Sequence, residues 1–194
     1  MAARGTFSLA LSGGHSPWPM YDALADEDVP WEAVRILQVD ERIAPGGDAE
    51  RNLTELERRL PPAAVLRLEP MPVEDDDLEA AAAGYGAALP HEIDLAHLGL
   101  GPDGHTASLV PGDPVLEVAD VPVALTGGEY QGRRRMTLTY PCLEAARSVL
   151  WLVTGADKRD ALEKLLGGDP SIPAGRVKAR DAVLVADASV LSGE

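Results

Sequence analysis

Short apolar segments, each ending in a glycine-containing or acidic turn and followed by an amphipathic stretch, recur along this chain. Apolar segments of roughly four to eight residues favour buried strands, and the stretches between them have helical spacing. The predicted strands span 7–11, 34–39, 65–68, 93–100, 136–139, 148–153 and 182–185. The predicted helices span 17–25, 50–60, 77–89 and 157–166. This alternation predicts an α/β layered fold with a mostly parallel central sheet flanked by helices.

The ends of two helices carry further signals. Asp48 is a plausible N-terminal cap for the second helix, and Gly167-Gly168 is a suitable stop for the last one. With 194 residues, of which 45% are hydrophobic, the chain can bury one core, and it contains neither a repeat nor a linker. We therefore expect a single domain over 1–194. Its apolar segments are too short to span a membrane, and its first residues do not resemble a secretory signal.

The formal net charge of −15 comes from 32 acidic and 17 basic residues. A surface this acidic repels nucleic acid and anionic lipid, so we expect neither a nucleic-acid nor a membrane partner. Basic residues beside glycine-rich turns are then informative, because an anionic ligand would need them. The single cysteine, Cys142, excludes an internal disulfide. We expect a buried structural thiol there, and this cysteine usage fits a reducing cytoplasm.

Metal and acyl-enzyme chemistry have no signature in the sequence. The four histidines (His15, His91, His97 and His105) do not have the spacing of metal ligands, and a Gly-x-Ser-x-Gly motif is absent. We therefore expect a site without a metal or a cofactor.

Ser12-Gly13-Gly14 joins the first predicted strand to the first predicted helix. Adjacent glycines allow backbone N–H groups to point at one anion, and the start of the following helix favours negative charge. The segment is either a phosphate- or oxyanion-binding turn or simply a tight turn. His15 beside it either contacts a phosphate or is a solvated loop histidine.

Three further positions carry basic residues near predicted strand ends or helix starts. Arg42, in Asp40-Glu41-Arg42, either makes bidentate hydrogen bonds to phosphate oxygens or forms an ion pair with an adjacent acid. Asp40 is a base, an orienting group or a helix cap. Of Arg133, Arg134 and Arg135, one is expected to face inward and two to face water. Lys158 begins the last predicted helix, where a lysine is either a helper cation at an anion site or an ordinary surface residue.

The segment from Gly99 to Thr106 contains glycines at 99, 101 and 104, followed by His105. These glycines formally match a dinucleotide-binding pattern. We reject that interpretation because the strand is late in the chain and Pro102 interrupts the turn. A histidine at the tip of such a turn can activate water as a general base, or it can be a helix-capping or structural residue.

The polar turns beginning at Ser12, Asp40 and Asp103 all follow predicted strands. Because ligands bind beyond the carboxyl ends of parallel strands, these three turns are expected to form one shared site.

Taken in order, segments 11–14, 40–45, 98–109, 135–139 and 154–158 resemble the 6-phosphogluconolactonase family, within the larger group that includes glucosamine-6-phosphate deaminase. The resemblance runs from about residue 7 to the C-terminus. It implies a Rossmann-like sheet and a cytoplasmic enzyme of the oxidative pentose phosphate pathway. We expect the protein to be a monomer. The implied reaction hydrolyses 6-phospho-D-glucono-1,5-lactone, a small phosphorylated sugar lactone, to 6-phospho-D-gluconate.

The resemblance also implies roles for individual residues. His105 matches the proposed general base, which activates water and then protonates the ring oxygen as it leaves. Arg42 and Arg135 match basic substrate contacts, to the phosphate, and Lys158 matches another basic position. The Ser12-Gly13-Gly14 turn matches the loop at the substrate, and Asp40 matches a polar site position without a fixed role.

The chain departs from the family at its ends. Family members usually have a further strand and helix before the first glycine turn, whereas only residues 1–6 precede the first strand here. The segment after Ser189 is also short and is expected to contain no final helix. Two alternatives to the lactonase are an amino-sugar-phosphate isomerase or deaminase, and a sugar-phosphate binding protein without catalytic activity.

Overall fold

The computed structural model describes residues 5–191, in which strands alternate with helices along most of the chain. The strands are β1 (Phe7–Leu11), β2 (Val34–Gln38), β3 (Asp40–Arg42), β4 (Leu68–Glu69), β5 (Leu95–Gly99), β6 (Val123–Leu125), β7 (Arg135–Leu138), β8 (Ser148–Val153) and β9 (Ala182–Ala186). The α-helices are α1 (Trp18–Ala23), α2 (Asn52–Arg59), α3 (Pro62–Val65), α4 (Leu78–Ala88), α5 (Tyr140–Glu144), α6 (Arg159–Leu166) and α7 (Ala188–Leu191).

Six of these strands form a parallel sheet in the order β4-β2-β1-β5-β8-β9. From β1 the chain adds β2 and β4 on one side, and it then adds β5, β8 and β9 on the other. The order therefore reverses between β1 and β5, and a crevice opens outside the carboxyl ends of strands at such a reversal.

A second, antiparallel sheet has the order β3-β7-β6. It is tied to the first sheet through Val39, whose N–H donates to the Leu11 carbonyl oxygen and whose carbonyl oxygen accepts from the Leu138 N–H. The small sheet thus places the residues that follow β2 beside those that follow β1.

Alternating side chains of the parallel strands pack into two cores on opposite faces of the sheet. On β1, Ala10 belongs to one core and Leu11 to the other; on β2, Leu37 and Ile36 divide in the same way. Helices cover both faces, and the edge strand β9 leaves Val183 54% exposed. Among residues 5–191, no helix has the length and apolar composition needed to cross a membrane.

The predicted α/β fold with a mostly parallel central sheet is confirmed. The predicted strand over 148–153 coincides with β8, and those over 7–11 and 182–185 match β1 and β9 within one residue. The predicted helix over 77–89 is α4, which begins after Asp77 and is capped by its carboxylate. The helices predicted over 17–25 and 157–166 each combine an α-helix with a 3-10 turn, Leu24–Asp26 after α1 and Ala156–Lys158 before α6.

Several local predictions are wrong. The strand predicted over 65–68 is largely absent: consecutive prolines at 61 and 62 start the helical turn α3, which ends at Val65, a turn follows over residues 66 and 67, and β4 begins only at Leu68. The segment over Asp40-Glu41-Arg42 is a strand of the second sheet, not a turn. Asp48 does not cap α2; the Glu41 carboxylate accepts from the N–H groups of Asn52 and Leu53 instead.

The strand predicted over 136–139 is β7, which pairs in the antiparallel sheet, and β6 was not predicted. The chain after β9 contains the one-turn helix α7, although no final helix was expected. Cys142 lies in α5 against the core but is only half-buried, and burial raises the pKa of its thiol to about 12. The expectations for the two ends of the domain partly concern residues 1–4 and 192–194, which lie outside the described residues.

Candidate active site

One cavity of about 340 Å³ opens at the carboxyl ends of β1 and β5, where the strand order reverses. It is lined by every site residue predicted from the sequence, namely Ser12, Gly13, Gly14, Asp40, Arg42, His105, Arg135 and Lys158. The three polar segments that follow β1, β2 and β5 therefore meet in space, as parallel-sheet topology predicts.

Hydrogen bonds from buried groups fix the turn after β1. The Ser12 hydroxyl donates to the His97 carbonyl oxygen at 2.9 Å, and the Tyr21 hydroxyl donates to the Ser12 carbonyl oxygen at 2.5 Å. Gly14 has a φ of 94°, which a residue with a side chain rarely adopts. The backbone N–H groups of Gly13 and Gly14 bind no other residue between 5 and 191, so they remain available to a ligand.

Asn52, at the first turn of α2, connects three elements of the cavity wall. Its Nδ2 donates to the Asp40 carbonyl oxygen at 2.9 Å and to Asp40 Oδ1 at 3.3 Å, and its Oδ1 accepts from Arg42 Nη1 at 3.1 Å. A Cβ atom on Gly13 would overlap the Asn52 side chain. Asn52 therefore fixes Asp40 and Arg42 and requires glycine at position 13.

Asp40 is buried, with 5% of its surface exposed. Its Oδ2 accepts a hydrogen bond of 2.5 Å from the Ser108 hydroxyl, and its Oδ1 accepts from Asn52. Both carboxylate oxygens are thus occupied by neighbouring donors. Of the roles left open by the sequence, this arrangement favours an orienting group over a base.

Arg42 and Arg135 are directly opposite each other on the antiparallel strands β3 and β7, and both line the cavity. Like charges at such a pair of positions repel, so the arrangement is costly unless an anion lies between them. Burial lowers the pKa of the Arg135 guanidinium, and the carboxylate of Asp40 opposes that change. The buried Nε of Arg135 has no hydrogen-bond partner among the described residues.

The neighbours of these arginines have other contacts. Arg133 pairs with Asp48 and Glu50, and Arg134 donates to the Thr126 carbonyl oxygen, so only Arg135 of the three points into the cavity. Arg42 forms no ion pair within residues 5–191; it donates to the Glu50 carbonyl oxygen and to Asn52.

Glu41, the other acid next to Arg42, is fully buried and points away from the cavity, where it caps α2 and lies 3.5 Å from Arg51 Nε. It is therefore a structural residue.

His105 lies at the end of a tight loop that follows β5. The Gly101 N–H donates to the His105 carbonyl oxygen at 2.9 Å, and a Cβ atom on Gly101 would overlap the His105 ring. Gly104 has a φ of 83° and lies against Ile172. These close approaches explain Gly101 and Gly104, two of the three glycines that formally resemble a dinucleotide motif; nothing lies within 4 Å of a Cβ atom on Gly99. No helix begins at His105, so it is not a capping residue.

Asp103 anchors the His105 ring. Its Oδ1 is 2.5 Å from His105 Nδ1, and this hydrogen bond is the main reason why the pKa of the Asp103 carboxyl is well below its usual range. An ionised Asp103 accepts a hydrogen bond from Nδ1–H, and the lone pair of the ring is then on Nε2. The pair has the geometry of a general base and its orienting carboxylate.

Lys158 also lines the cavity. Its Nζ donates to the Ser16 hydroxyl at 3.1 Å, and Thr154 donates to the same oxygen at 2.7 Å. His15 also lines the cavity, although it is exposed and its ring packs 4.1 Å from that of Trp18. The cavity thus has three permanent cations and one carboxylate, in a chain of net charge −15.

Three side chains at the site were not selected from the sequence: Asp103, Asn52 and Tyr130. Asp103 had a signal, because it is two residues before His105 in the same loop. Asn52 and Tyr130 had none, because their contacts depend on how α2 and the β6–β7 hairpin pack onto the parallel sheet. Among residues 5–191, no three His, Cys, Asp or Glu side chains are grouped as metal ligands would be.

A Rossmann-like sheet, a cavity lined by three cationic side chains at its switch point and a carboxylate-anchored histidine are typical of an α/β enzyme that acts on an anionic small molecule. Comparison with known proteins makes this class specific. The family described as glucosamine-6-phosphate isomerases/6-phosphogluconolactonase matches residues 1–186. This chain belongs to that family.

Named relatives agree with this assignment. A 6-phosphogluconolactonase from Synechocystis sp. is 38% identical over 180 residues, which cover 85% of this chain and 73% of the relative. The crystal structure of a 6-phosphogluconolactonase from Thermotoga maritima superposes with a TM-score of 0.85 at 27% identity, over 95% of this chain and 87% of that one. A monomeric glucosamine-6-phosphate deaminase superposes with a TM-score of 0.83 at 20% identity, over 97% and 88% of the two chains, and shows only the shared fold.

Proposed function

We propose that this chain hydrolyses 6-phospho-D-glucono-1,5-lactone to 6-phospho-D-gluconate. The observation that carries the proposal is the position of His105, whose ring is anchored by Asp103 at a cavity that also contains Arg42, Arg135 and Lys158. The names of the Synechocystis and Thermotoga relatives support the same substrate.

His105 acts as the general base. With Nδ1–H bound to Asp103, Nε2 takes a proton from water as the water oxygen bonds to the lactone carbonyl carbon, and the carbonyl π electrons move to oxygen. When this tetrahedral intermediate collapses, the bond from that carbon to the ring oxygen breaks. The imidazolium then returns the proton to the ring oxygen, which becomes a hydroxyl group. General-base assistance of this kind contributes roughly 10² to 10⁴ in rate, and a lactone is already an activated ester.

Arg42 and Arg135 bind the phosphate. Their cross-strand repulsion and the unpartnered Nε of Arg135 would both be relieved by a dianion placed between them. A phosphate held in this way also fixes the distance from the lactone carbonyl to His105, and such positioning adds to the rate.

Further donors at the cavity include the N–H groups of Gly13 and Gly14 and the ammonium group of Lys158. We propose that these donors bind the substrate oxygens that the two arginines do not contact. One of these oxygens is the carbonyl oxygen, which becomes an oxyanion in the tetrahedral intermediate. Donors that are fixed before the reaction stabilise such a charge more than mobile water does.

We also propose that the enzyme is a monomer with one domain over 1–194. It would act in the cytoplasm, in the oxidative pentose phosphate pathway. The single half-buried Cys142 and the net charge of −15 are compatible with this setting. A base and fixed cations are sufficient for opening a lactone, so we assign no metal ion or cofactor, and neither nucleic acid nor a membrane, as a partner.

The proposal is tested with freshly prepared lactone, 6-phosphogluconate dehydrogenase and NADP⁺, by following NADPH formation. Because the lactone opens spontaneously, the quantity that counts is the rate above the enzyme-free background. Acceleration proportional to protein concentration is expected. If the folded protein binds 6-phosphogluconate but produces no acceleration, it is a binding protein; if it releases ammonia from glucosamine 6-phosphate, it is a deaminase.

A further inference from the structure

The hairpin between β6 and β7 turns tightly at the rim of the cavity. The Tyr130 N–H donates to the Arg133 carbonyl oxygen at 3.0 Å, and the Arg133 N–H donates back at 3.4 Å. The two residues between them, Gln131 and Gly132, have φ values of 54° and 77°. Both central residues are therefore left-handed, as in the two-residue turns that match the twist of paired strands. The turn fixes the direction in which Tyr130 leaves the backbone.

Arg135 ties this turn to the wall of the cavity. Its Nη2 donates to the Tyr130 carbonyl oxygen at 3.1 Å and to Gln131 Oε1 at 3.2 Å. Its guanidinium carbon is 5.1 Å from the centre of the Tyr130 ring, within the range of a cation–π contact. Tyr130 is thus held by a buried arginine on one side.

On its other side Tyr130 contacts both members of the His105–Asp103 pair. The Tyr130 hydroxyl donates to Asp103 Oδ2 at 3.0 Å, and its oxygen lies 3.2 Å from His105 Nδ1. The rings of Tyr130 and His105 pack edge to face, with their centres 5.1 Å apart. Asp103 Oδ1 accepts from Nδ1, so each polar group of the three contacts the other two.

We infer that Tyr130 is a positioning residue for lactone hydrolysis, which holds the Asp103 carboxylate and thereby keeps His105 in the Nδ1–H tautomer with Nε2 free. This inference rests on the proposed function.

The Asp103 side chain is 37% exposed, and apart from His105 its side-chain partner is the Tyr130 hydroxyl. Without that hydroxyl, water can take its place and the carboxylate can rotate about its side-chain bonds. The His105 ring would then lose the fixed acceptor that sets its tautomer and direction. The Tyr130 ring itself, which packs against His105 and Arg135, has no part in this hydrogen bond.

The substitution Tyr130→Phe separates the two contributions, since it removes the hydroxyl and keeps the ring. We expect kcat to fall roughly tenfold, the value of one hydrogen bond to a charged group, while KM and Tm stay near those of the wild type. The matched control is Tyr140→Phe, because Tyr140 is remote from the cavity and donates to the Pro173 carbonyl oxygen. Wild-type kcat in Tyr130→Phe, or a change in KM alone, would overturn the inference.

A double-mutant cycle tests whether Tyr130 acts through Asp103. In an Asp103→Asn background, Tyr130→Phe should lower kcat by less than about twofold, because the carboxylate that the hydroxyl holds is already gone. If the two losses multiply, Tyr130 does not act through Asp103 and the inference fails.

The imidazole nitrogen resonances of His105, assigned by their loss in His105→Ala, give a readout that needs no activity. The wild type should show the Nδ1–H tautomer, and Tyr130→Phe should show a mixture with the Nε2–H form. An unchanged tautomer would refute the inference about Tyr130 even if the lactonase activity is present. Conversely, an inactive wild type would refute the proposed function while this spectrum still tests Tyr130.

Discussion

The buried imidazole of His97 should make the stability of this protein depend on pH. His97 lies on β5 in the centre of the parallel sheet, with none of its surface exposed, and burial lowers its pKa from 6.5 to about 4. The Ser12 N–H lies 3.4 Å from Nδ1, and Nε2 has no partner among the described residues. The folded protein therefore keeps this ring neutral at a pH where the unfolded chain protonates it.

The sign and size of the effect follow from these two pKa values. Because the folded pKa is the lower one, the unfolded chain binds the extra proton between pH 6.5 and about pH 4, so acidification through that range favours unfolding. Proton linkage gives a loss of about 2 kcal/mol from His97 alone between about pH 7.5 and about pH 5.

The matched variant is His97→Asn, which keeps an oxygen acceptor near the position of Nδ1 and cannot be protonated in this range. The variant should be less stable than the wild type at neutral pH, because the lost ring atoms leave a cavity. Urea unfolding at both pH values gives the free energy of unfolding of each protein. The wild type should lose about 2 kcal/mol more than the variant on acidification. Equal losses in the two proteins would mean that His97 is not the source of the pH dependence.

Three further substitutions probe the site and its support. Arg42→Ala should raise KM on the order of tenfold or more with a smaller effect on kcat, because the proposed phosphate contact would be made both before and during the reaction. An unchanged KM in the coupled assay would contradict the assignment of the phosphate to Arg42. Gly101→Ala should lower kcat by at least about tenfold without unfolding the protein, because its Cβ atom would overlap the His105 ring. Normal kcat for that variant would mean that the ring has room to move. Glu41→Gln should lower the free energy of unfolding by about 2 kcal/mol, since it weakens the cap of α2 and leaves buried Arg51 with less compensating charge. Urea unfolding measures this change, and wild-type stability would contradict the structural role of Glu41.

The sequence predicted the parallel layer well, because its strands are short apolar segments with clear stops. β8 is apolar from Val149 to Val153 and matches its prediction, and β1 ends at the predicted glycine turn. The second sheet was not predicted as a sheet, since Asp40-Glu41-Arg42 is too polar and short to resemble a strand. Its strand conformation comes from pairing with β7, about a hundred residues later in the chain. The error over 65–68 has a local cause, the prolines that start α3.

The site could be located from the sequence because topology alone brings the ends of β1, β2 and β5 together. The choice of Arg135 among three arginines followed from the family resemblance and not from strand alternation, which needs a known register. The contacts of Asn52 and Tyr130 could not be predicted, because both depend on side chains of segments that are distant in the chain. The contact of Asp103 could have been predicted, since a carboxylate two residues before a histidine in the same tight loop is well placed to accept a hydrogen bond from its ring.

The most direct test of the account compares lactone hydrolysis by the wild type, by His105→Ala and by His91→Ala, a control that removes an exposed histidine outside the cavity. Binding of 6-phosphogluconate is measured for each protein by calorimetry. We expect His105→Ala to lose roughly 10² or more of the rate above background while it still binds the product, and His91→Ala to retain both. Near-normal turnover by a folded His105→Ala variant would contradict the assignment of His105 as the general base of a lactonase.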